Sequence, residues 1–449
     1  MKIIEFDVFV IGSGVAGQLV AKSCAKANLK VAIADNREYG GTCANRGCDA
    51  KKVLLGPTEV YQHALNLKGK GITSVPNLDW EKLQNFKRTF TDRVPLETEK
   101  ILEKLGVKRY HQSPVFIDKN TLSVEGKTVK AKKIVIATGQ IPRTLKVLGN
   151  NLLKTSDYFL KMKQIPDEIV FIGAGYIAME FAHIAARNGS KVTILDHGSR
   201  ALNGFDPDLV SELISESEKM GIQFIFNAKV TEIEKLRTNY RIIYKIKNEE
   251  TSLKAKLVFN TAGRVPAIAN LHLEKGDIDY SIKGVSVNKY LQNTSNPNVY
   301  ACGDVSDHSL PLTPLSGIEA KVVAENILHG NKKQIETPIV PSVVFSLPNL
   351  ATVGLSEEEA TTRYKDLIVN YQSVPNWYNA KRIKASVYAY KILVNKRNNH
   401  IVGAHILGPH AAETINLFSM AMHQKMTTND IKNMIFTYPS WGSDIKSMI

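Results

Sequence analysis

The chain has 449 residues, of which 43% are hydrophobic and 22% are charged, a composition typical of a soluble globular protein of roughly three domains. With only 4 cysteines it is not a small disulfide-stapled scaffold, and a reducing cytoplasm is the expected location. The net charge of +15 comes from scattered basic residues without a nucleic-acid-binding motif. We therefore expect no nucleic acid partner and no membrane association.

The first predicted elements form a strand, a glycine-rich turn and a helix. A strand at residues 6–11 leads into the turn, a helical stretch runs to residue 28, and a second strand at residues 31–34 ends in Asp35. The turn reads Gly12-Ser13-Gly14-Val15-Ala16-Gly17. In a dinucleotide-binding unit the first glycine makes the turn, the second lets the backbone approach a pyrophosphate, and the third packs helix on strand. Asp35 is then expected to accept a hydrogen bond from a ribose hydroxyl.

A pair of cysteines separated by four residues follows, Cys43 and Cys48, in the segment GGTCANRGCDAKK. A zinc site would need two further ligands, but Cys24 lies in an alanine-rich helical stretch and Cys302 lies beside a Gly-Asp pair. A redox-active disulfide therefore fits this spacing better than a metal site does. We expect no bound metal.

The same supersecondary unit recurs further along the chain. A strand at residues 168–172, a helical stretch to residue 188 and a strand at residues 192–195 ending in Asp196 surround a second turn, Gly173-Ala174-Gly175-Tyr176-Ile177-Ala178. Asp196 follows Gly173 at the same distance at which Asp35 follows Gly12. One such motif is weak evidence, because glycines also serve tight turns without a ligand. Two with full context predict two dinucleotide sites rather than two empty turns.

These segments together resemble the class I pyridine nucleotide-disulfide oxidoreductases, the family of glutathione reductase, lipoamide dehydrogenase and mercuric reductase. Further stretches carry the resemblance: residues 134–139 with Pro142, 261–266, 299–304 and Thr313-Pro314. The resemblance implies that FAD is bound by the first turn and its aspartate together with Thr42, Lys51, Thr138, Gly139, Asp304 and Thr313. It implies that NADH or NADPH is bound by the second turn with Glu180, Asp196 and Gly263.

The family's architecture is the expected fold class: α/β, with two Rossmann-like dinucleotide-binding domains and a C-terminal α+β dimerisation domain. The implied boundaries are 1–145 and 268–335 for the FAD domain, 146–267 for the nicotinamide domain and 336–449 for the interface domain of a homodimer. β-Rich runs at residues 343–345, 392–394 and 401–406, with helical stretches from Ala411 and Asn429, agree with a separate last domain.

The resemblance also implies a chemistry. Electrons pass from the nicotinamide through the flavin to the Cys43–Cys48 disulfide and on to an acceptor. By the family's pattern, Cys48 is expected to be the thiolate against the flavin, and Cys43 is expected to attack the substrate. Lys51 pairs with Glu180 beside the flavin, and Tyr176 is an aromatic lid over the nicotinamide pocket.

The chain departs from the family at the C-terminus. Tyr438 stands before Pro439 where disulfide reductases carry a histidine from the partner subunit, and Ser443 stands where its glutamate partner is expected. A phenol, with an ordinary pKa of about 10, can donate a proton but is a poor base at neutral pH. Mercuric reductases carry an extra cysteine pair near the C-terminus, and this sequence shows no such pair after Tyr438. Ala50, where relatives have proline, is expected to loosen the turn after Cys48.

Three functions remain open at this point. The first is an NAD(P)H-dependent flavoenzyme that reduces a disulfide or another thiol-reactive acceptor. The alternatives are a flavin diaphorase or soluble transhydrogenase, and a non-catalytic flavin redox sensor. NADH is the expected donor, because the Asp196 carboxylate repels a 2′-phosphate. His197 and Asn203 supply no permanent cation, although Arg200 could reach a phosphate.

Overall fold

The computed structural model describes residues 3–308, 310–336 and 338–449, which fold into two compact units. The first unit comprises Met1–Val53, Gln84–Arg143 and Gly263–Thr337; the second comprises Leu54–Leu83, Thr144–Ala262 and Pro338–Ile449. The predicted boundaries of three domains stay a prediction. Among the described residues we find no helix that combines the length and apolar character needed to cross a bilayer.

The strands of the described chain are β1 (Ile4–Ile11), β2 (Val31–Ala34), β3 (Lys108–Tyr110), β4 (Val115–Asp118), β5 (Thr121–Val124), β6 (Lys127–Ile136), β7 (Gln140–Pro142), β8 (Glu168–Ile172), β9 (Lys191–Leu195), β10 (Ile222–Ile225), β11 (Lys229–Lys235), β12 (Tyr240–Ile246), β13 (Glu249–Ala255), β14 (Leu257–Asn260), β15 (Arg264–Pro266), β16 (Tyr280–Ser281), β17 (Gly284–Val285), β18 (Val299–Ala301), β19 (Ser342–Val344), β20 (Asn349–Gly354), β21 (Leu367–Ser373), β22 (Ala389–Asn395) and β23 (His400–Gly408).

The α-helices of the described chain are α1 (Val15–Lys26), α2 (Gly41–Arg46), α3 (Cys48–Asn66), α4 (Trp80–Thr91), α5 (Val94–Lys104), α6 (Ser156–Phe159), α7 (Tyr176–Arg187), α8 (Pro207–Lys219), α9 (Thr313–His329), α10 (Glu357–Arg363), α11 (Tyr378–Arg382), α12 (Ala411–His423), α13 (Thr428–Asn433) and α14 (Trp441–Met448).

The first unit is built on a sheet whose strands β3, β2, β1, β6 and β18 are parallel, with β5 and β4 added as an antiparallel extension. Both faces are buried: Phe9 and Ile11 of β1 pack in one apolar cluster, whereas Val8 and Val10 pack in another. Such two-sided burial is the usual state of parallel strands and explains their nearly continuous apolar sequence. The strands and helix predicted around the first glycine turn are found as β1, α1 and β2.

The second unit contains a parallel sheet of order β10-β9-β8-β14, and a separate antiparallel sheet of order β11-β12-β13. The elements predicted around the second glycine turn are found as β8, α7 and β9. The chain segments that leave and re-enter the first unit pair with each other as antiparallel strands β7 and β15.

The C-terminal part of the second unit is an antiparallel sheet of order β19-β20-β23-β22-β21, against which α12 and α14 contribute apolar side chains. The β-rich runs predicted from residue 343 are found as β19, β22 and β23, and the predicted helical stretches as α12 and α13.

A buried ion cluster joins this sheet to the part of the same unit that contains the second glycine turn. Lys391 of β22, with 1% of its side chain exposed, places Nζ 2.8 Å from Asp206 Oδ2, 2.5 Å from Asp208 Oδ2 and 2.6 Å from Glu357 Oε2. Asp206 also caps helix α8 by accepting from the backbone of Asp208 and Leu209. The lysine thus holds the start of α8 on the C-terminal sheet, and a buried charge of this kind is stable only with such partners.

A fully buried histidine makes the stability of this unit depend on pH. His183 of α7 accepts from Leu347 N at Nδ1 (3.2 Å), so Nε2 faces Ser217 Oγ (3.0 Å) as the donor. Burial, followed by the charge of Arg187, lowers the pKa of His183 well below its ordinary value. The unfolded chain therefore binds a proton below pH about 6.5 that the folded chain does not bind.

As the pH drops below about 6.5, we expect this histidine to lower the free energy of unfolding by about 1.4 kcal/mol per pH unit. His183→Gln should remove this contribution to the pH dependence. Urea unfolding of both proteins between pH 7.5 and 5.5 measures it. Burial also lowers the pKa of His405. Because His405 is present in both proteins, its contribution to the pH dependence is the same in both. Equal pH slopes for the two proteins would contradict the assignment.

Candidate active site

The first glycine turn is shaped by close backbone approaches. Gly12 has φ +106°, and a Cβ there would lie 2.3 Å from the carbonyl oxygen of Ala137. A Cβ on Gly17 would lie 1.9 Å from the oxygen of Gly12, so this glycine lets α1 pack on β1. Gly14 differs, because the nearest atom to its Cβ would be 3.9 Å away. Protein packing therefore leaves room at Gly14, at the N-terminus of α1, where an anion is favoured.

The carboxylate of Asp35 closes this turn. Its Oδ2 accepts from the backbone N (2.8 Å) and the hydroxyl (2.6 Å) of Ser13, and Oδ1 accepts from Arg37 N (2.9 Å). The position at the end of β2 is the one predicted for a ribose-binding carboxylate. Ser13 was not among the predicted site residues, and its place between two glycines gave no signal that its side chain would bind Asp35.

The second turn repeats this geometry. Asp196 Oδ2 accepts from Ala174 N at 2.6 Å, and its Oδ1 accepts from Gly198 N at 2.6 Å. Gly173 has φ +105°, and a Cβ there would clash with the backbone of Ala262. A Cβ on Gly175 would lie 4.0 Å from its nearest neighbour, Thr261 O. The two fingerprints therefore build the same cradle twice, once in each unit, with the second glycine open in both.

The cysteines lie on two consecutive helices of the first unit. Cys43 is in the short helix α2 and Cys48 is the first residue of α3, while Gly47 between them would clash with Thr42 O if it had a Cβ. All four cysteines of the chain are thiols in the structure, and the side chains of Cys43 and Cys48 are hydrogen-bonded to each other. That bond, then burial, raises the pKa of Cys43. The hydrogen bond to Cys48 and the burial both favour the protonated form of Cys43.

Two further groups contact the sulfur of Cys43. The hydroxyl of Thr313, the first residue of α9, forms a hydrogen bond that lowers the pKa of Cys43. Asp49 Oδ1 lies 3.9 Å from Cys43 Sγ, within hydrogen-bond range for sulfur, and its charge raises that pKa. Thr313 was predicted as a site residue, but Asp49 was not.

The expected effect of Ala50 is wrong. There is no turn after Cys48 to loosen, because α3 begins at Cys48 and Ala50 is fully buried in its first turn. Proline is tolerated in a first helical turn, and alanine has the highest helix propensity, so either residue allows the helix to start there. Lys51 lies in the same turn and is buried, one helical turn after Cys48.

Other predicted flavin-site residues lie in the same unit as the first cradle. Thr138 follows β6, and its buried Oγ1 has no hydrogen-bond partner among the described residues. Gly139 has φ +66° and starts the crossing strand β7, and Asp304 O accepts from Gln140 Nε2 at 3.1 Å. Burial raises the pKa of Asp304, with Arg264 acting in the opposite direction. An unpartnered hydroxyl, an open second glycine and a half-buried carboxylate in one unit fit the polar groups of FAD.

In the second unit the predicted nicotinamide residues lie along α7. Tyr176 is its first residue and is 46% exposed, and Ile177 is followed by the fully buried Ala178. Glu180 is buried, and its Oε1 accepts from Phe345 N at 3.0 Å. Phe345 lies far along the sequence, so no local pattern could have indicated this contact. Gly263, with φ +99°, belongs to the first unit and precedes β15.

The arginine of the loop after β9 is hydrogen-bonded within that loop. Arg200 donates to Asn203 O at 2.9 Å and to Phe205 O at 3.2 Å. His197 Nδ1 lies 3.5 Å from Asp196 Oδ1. The guanidinium is therefore hydrogen-bonded to carbonyl oxygens of its own loop rather than held open for a phosphate.

The C-terminal departures have a local explanation. Tyr438 is 81% exposed. Ser443 forms a capping box with Ser440 at the start of α14, so its hydroxyl serves the helix end. Asp444 accepts from Asn379 (3.0 Å) and Tyr388 (3.3 Å), and burial raises its pKa.

Comparisons with known proteins identify the relatives of this chain. The family model described as pyridine nucleotide-disulphide oxidoreductase matches residues 6–325, and the model of that family's dimerisation domain matches residues 340–449. The chain is 32% identical to a glutathione reductase from Burkholderia cepacia, over 100% of this chain and 99% of the relative. It is 30% identical to a mercuric reductase from Staphylococcus aureus, over 98% and 81% respectively.

A solved structure supports the same assignment. The HOCl-induced flavoprotein disulfide reductase RclA from Escherichia coli matches with a TM-score of 0.87 and 27% identity, covering 98% of this chain and 99% of that one. The predicted fold class and the resemblance are confirmed, and with them an FAD-dependent oxidoreductase that takes electrons from NAD(P)H. The chain belongs to the pyridine nucleotide-disulphide oxidoreductase family.

Proposed function

We propose that this flavoprotein passes electrons from NAD(P)H to the Cys43–Cys48 pair and from there to a disulfide or another thiol-reactive acceptor. The observation that carries the proposal is the pair itself: two side chains hydrogen-bonded to each other, in the unit that also holds the first dinucleotide cradle. A diaphorase or a soluble transhydrogenase would not need a second cysteine at that spacing.

The residues of the first cradle would hold FAD. Gly14 and the N-terminus of α1 leave room for the pyrophosphate, Asp35 accepts from the ribose, and Thr138 Oγ1 and Asp304 offer polar contacts further along. Thr42, Gly139 and Thr313 complete the proposed set. When bound, FAD accepts hydride from the nicotinamide and passes two electrons to the cysteines, a chemistry that no side chain supplies.

The two cysteines take different roles. Cys48 begins a helix, so the helix dipole and Lys51 one turn away favour a negative charge on its sulfur. The hydrogen bond of Cys43 to Cys48 and its burial raise the pKa of Cys43, which favours its neutral thiol. We therefore infer that Cys48 is the thiolate held against the flavin and that Cys43 forms the mixed disulfide with the substrate.

The remaining assignments follow the family pattern. We propose that the second cradle binds the nicotinamide cofactor, with Tyr176 as a lid and Glu180 as the partner of Lys51. The match of residues 340–449 to the dimerisation domain supports a homodimer. In such a dimer Tyr438, exposed in the single chain, would reach the partner's cysteines as a proton donor. The sparing use of cysteine supports a cytoplasmic location.

Steady-state turnover with a panel of acceptors tests the proposal. NADH or NADPH would be supplied with glutathione disulfide, lipoamide or Cu(II), the last because one solved structure of the Escherichia coli relative is a Cu(II) complex. Turnover that needs both cysteines is the expected result. Turnover with dyes or between nicotinamides only, unchanged in Cys43→Ser, would favour the diaphorase or transhydrogenase instead.

The nicotinamide preference gives a separate prediction. Asp196 accepts from two backbone N–H groups at the ribose end of β9, and Arg200 is engaged by Asn203 and Phe205, so we expect a higher kcat/KM with NADH than with NADPH. Asp196→Ala should reduce the ratio of the two constants by roughly tenfold. Steady-state kinetics of the wild type, Asp196→Ala and Arg200→Ala measure it. A strong NADPH preference that disappears in Arg200→Ala would reverse the assignment.

A further inference from the structure

The C-terminal histidine that moves protons in disulfide reductases of the family is replaced in this chain. At the C-terminus Tyr438 and Ser443 stand where disulfide reductases of the family carry a histidine and a glutamate, and Ser443 is used as a helix cap. A thiolate that leaves a substrate disulfide still needs a proton. The surroundings of Cys43 therefore matter more here than in a protein with that histidine.

A carboxylate stands at the reacting sulfur. Asp49 follows Cys48 directly and lies in the first turn of α3, and its Oδ1 is 3.9 Å from Cys43 Sγ. The residue is exposed, so the carboxylate can reach both the solvent and a substrate that approaches Cys43. The Cys43 thiol donates to Asp49 Oδ1, so a proton acceptor for an attack by this sulfur is already in place. The hydrogen bond to Cys48 and burial, which raise the pKa of Cys43, make such an acceptor necessary.

We propose that Asp49 is a catalytic residue of the thiol half-reaction, which takes the proton of Cys43 and donates it to the first departing thiol. This inference rests on the proposed role of Cys43 as the attacking cysteine.

The step balances without any further reagent. As Cys43 Sγ attacks one sulfur of the substrate, the bond between Cys43 and that sulfur forms and the substrate S–S bond breaks. The proton moves from Sγ to the Asp49 carboxylate and on to the departing sulfur, which leaves as a neutral thiol. Cys48 then attacks Cys43 Sγ, the Cys43–Cys48 disulfide forms, and the second substrate sulfur leaves as a thiolate. The dithiol loses two electrons and the substrate gains them.

Two simpler roles of Asp49 make different predictions. An acidic residue in a first helical turn stabilises the helix by interaction with its dipole. A negative charge beside Cys43 also makes its thiolate scarcer, so a purely electrostatic Asp49 would slow every reaction of Cys43 alike. Only a proton donor to the leaving group distinguishes a substrate whose thiol needs the proton from one whose thiolate leaves readily.

The test uses two disulfide probes on protein reduced with dithiothreitol and freed of the reductant. Dithiobis(nitrobenzoate) releases a strongly acidic thiol that leaves without a proton, whereas hydroxyethyl disulfide releases an ordinary thiol. The rates of modification of Cys43 by each probe are measured by mass spectrometry in a Cys48→Ser background, where the mixed disulfide accumulates, for the otherwise wild-type protein, Asp49→Asn and Asp49→Glu. Glu97→Gln is the matched control, because Glu97 is an exposed first-turn acid of α5 in the same unit.

We expect Asp49→Asn to lower the ratio of the hydroxyethyl disulfide rate to the dithiobis(nitrobenzoate) rate by roughly a hundredfold. Asp49→Glu should restore much of the ratio, and Glu97→Gln should leave it unchanged. Because each ratio comes from one protein, a change in stability does not affect it. An equal ratio in the wild type and Asp49→Asn would overturn the proposal. Failure of the proposed function would instead appear as an absence of NADH-dependent reduction of disulfide acceptors. The two failures are distinguishable, since the present test needs neither NADH nor flavin.

Discussion

Replacing Cys43 by serine is expected to lower turnover with disulfide acceptors by at least about a thousandfold, while the protein still binds FAD and still reduces it with NAD(P)H. A serine hydroxyl cannot form a disulfide with Cys48 or with a substrate sulfur, so no electrons leave the pair by this route. Turnover with the acceptor panel and anaerobic reduction of the bound flavin measure the two halves separately.

A cysteine outside the pair provides the control. Cys24 is buried in α1, where burial raises its thiol pKa to about 12, so it has no access to substrate. Cys24→Ser should retain turnover per folded molecule even if it lowers stability. Cys43→Ser with full activity toward disulfides would show that the pair is not on the electron path.

The second large effect concerns the glycines of the two cradles. A Cβ on Gly14 would lie no closer than 3.9 Å to any protein atom, but it would occupy the space in which we propose that the pyrophosphate of FAD binds. We expect Gly14→Ala to fold normally and to bind FAD at least about a hundredfold more weakly, a loss of about 2.7 kcal/mol. Gly175→Ala, with 4.0 Å to its nearest neighbour, should keep FAD and raise the KM for NAD(P)H at least about tenfold.

Gly17→Ala is the contrasting variant in the same turn. Its Cβ would lie 1.9 Å from Gly12 O, so the apoprotein itself should lose about 3 kcal/mol of stability. FAD titration by fluorescence quenching and thermal unfolding of the apoproteins separate the two kinds of damage. Equal FAD affinity in Gly14→Ala and the wild type would mean that this cradle does not hold the pyrophosphate.

Local pattern explains why the cradles were predictable. Gly12, Asp35, Gly173 and Asp196 each lie within one βαβ unit, where strand, turn and helix follow one another in the sequence. Their chemistry depends on backbone geometry that glycine and a strand-end carboxylate impose directly. The cysteine pair was predictable for the same reason, because both residues lie in one short segment.

The rest depends on contacts between distant segments. Glu180 accepts a hydrogen bond from Phe345, and Lys391 forms ion pairs with Asp206 and Glu357. The residues of each pair lie far apart in the sequence, so no periodic pattern predicts these contacts. Asp49 is local, but its role depends on which way its side chain points from the first turn of α3. Ala50 misled the prediction because a family proline suggests a turn, whereas the segment is already helical.

Anaerobic titration with NADH, followed by a count of thiols, tests the central claim most directly. We expect the long-wavelength absorption of a thiolate beside the flavin to develop, and two additional thiols per chain to become reactive under denaturing conditions. The new thiols should map to Cys43 and Cys48, and adding a disulfide acceptor should remove both the absorption and the thiols. Flavin reduction with no such band and with an unchanged thiol count would contradict the account.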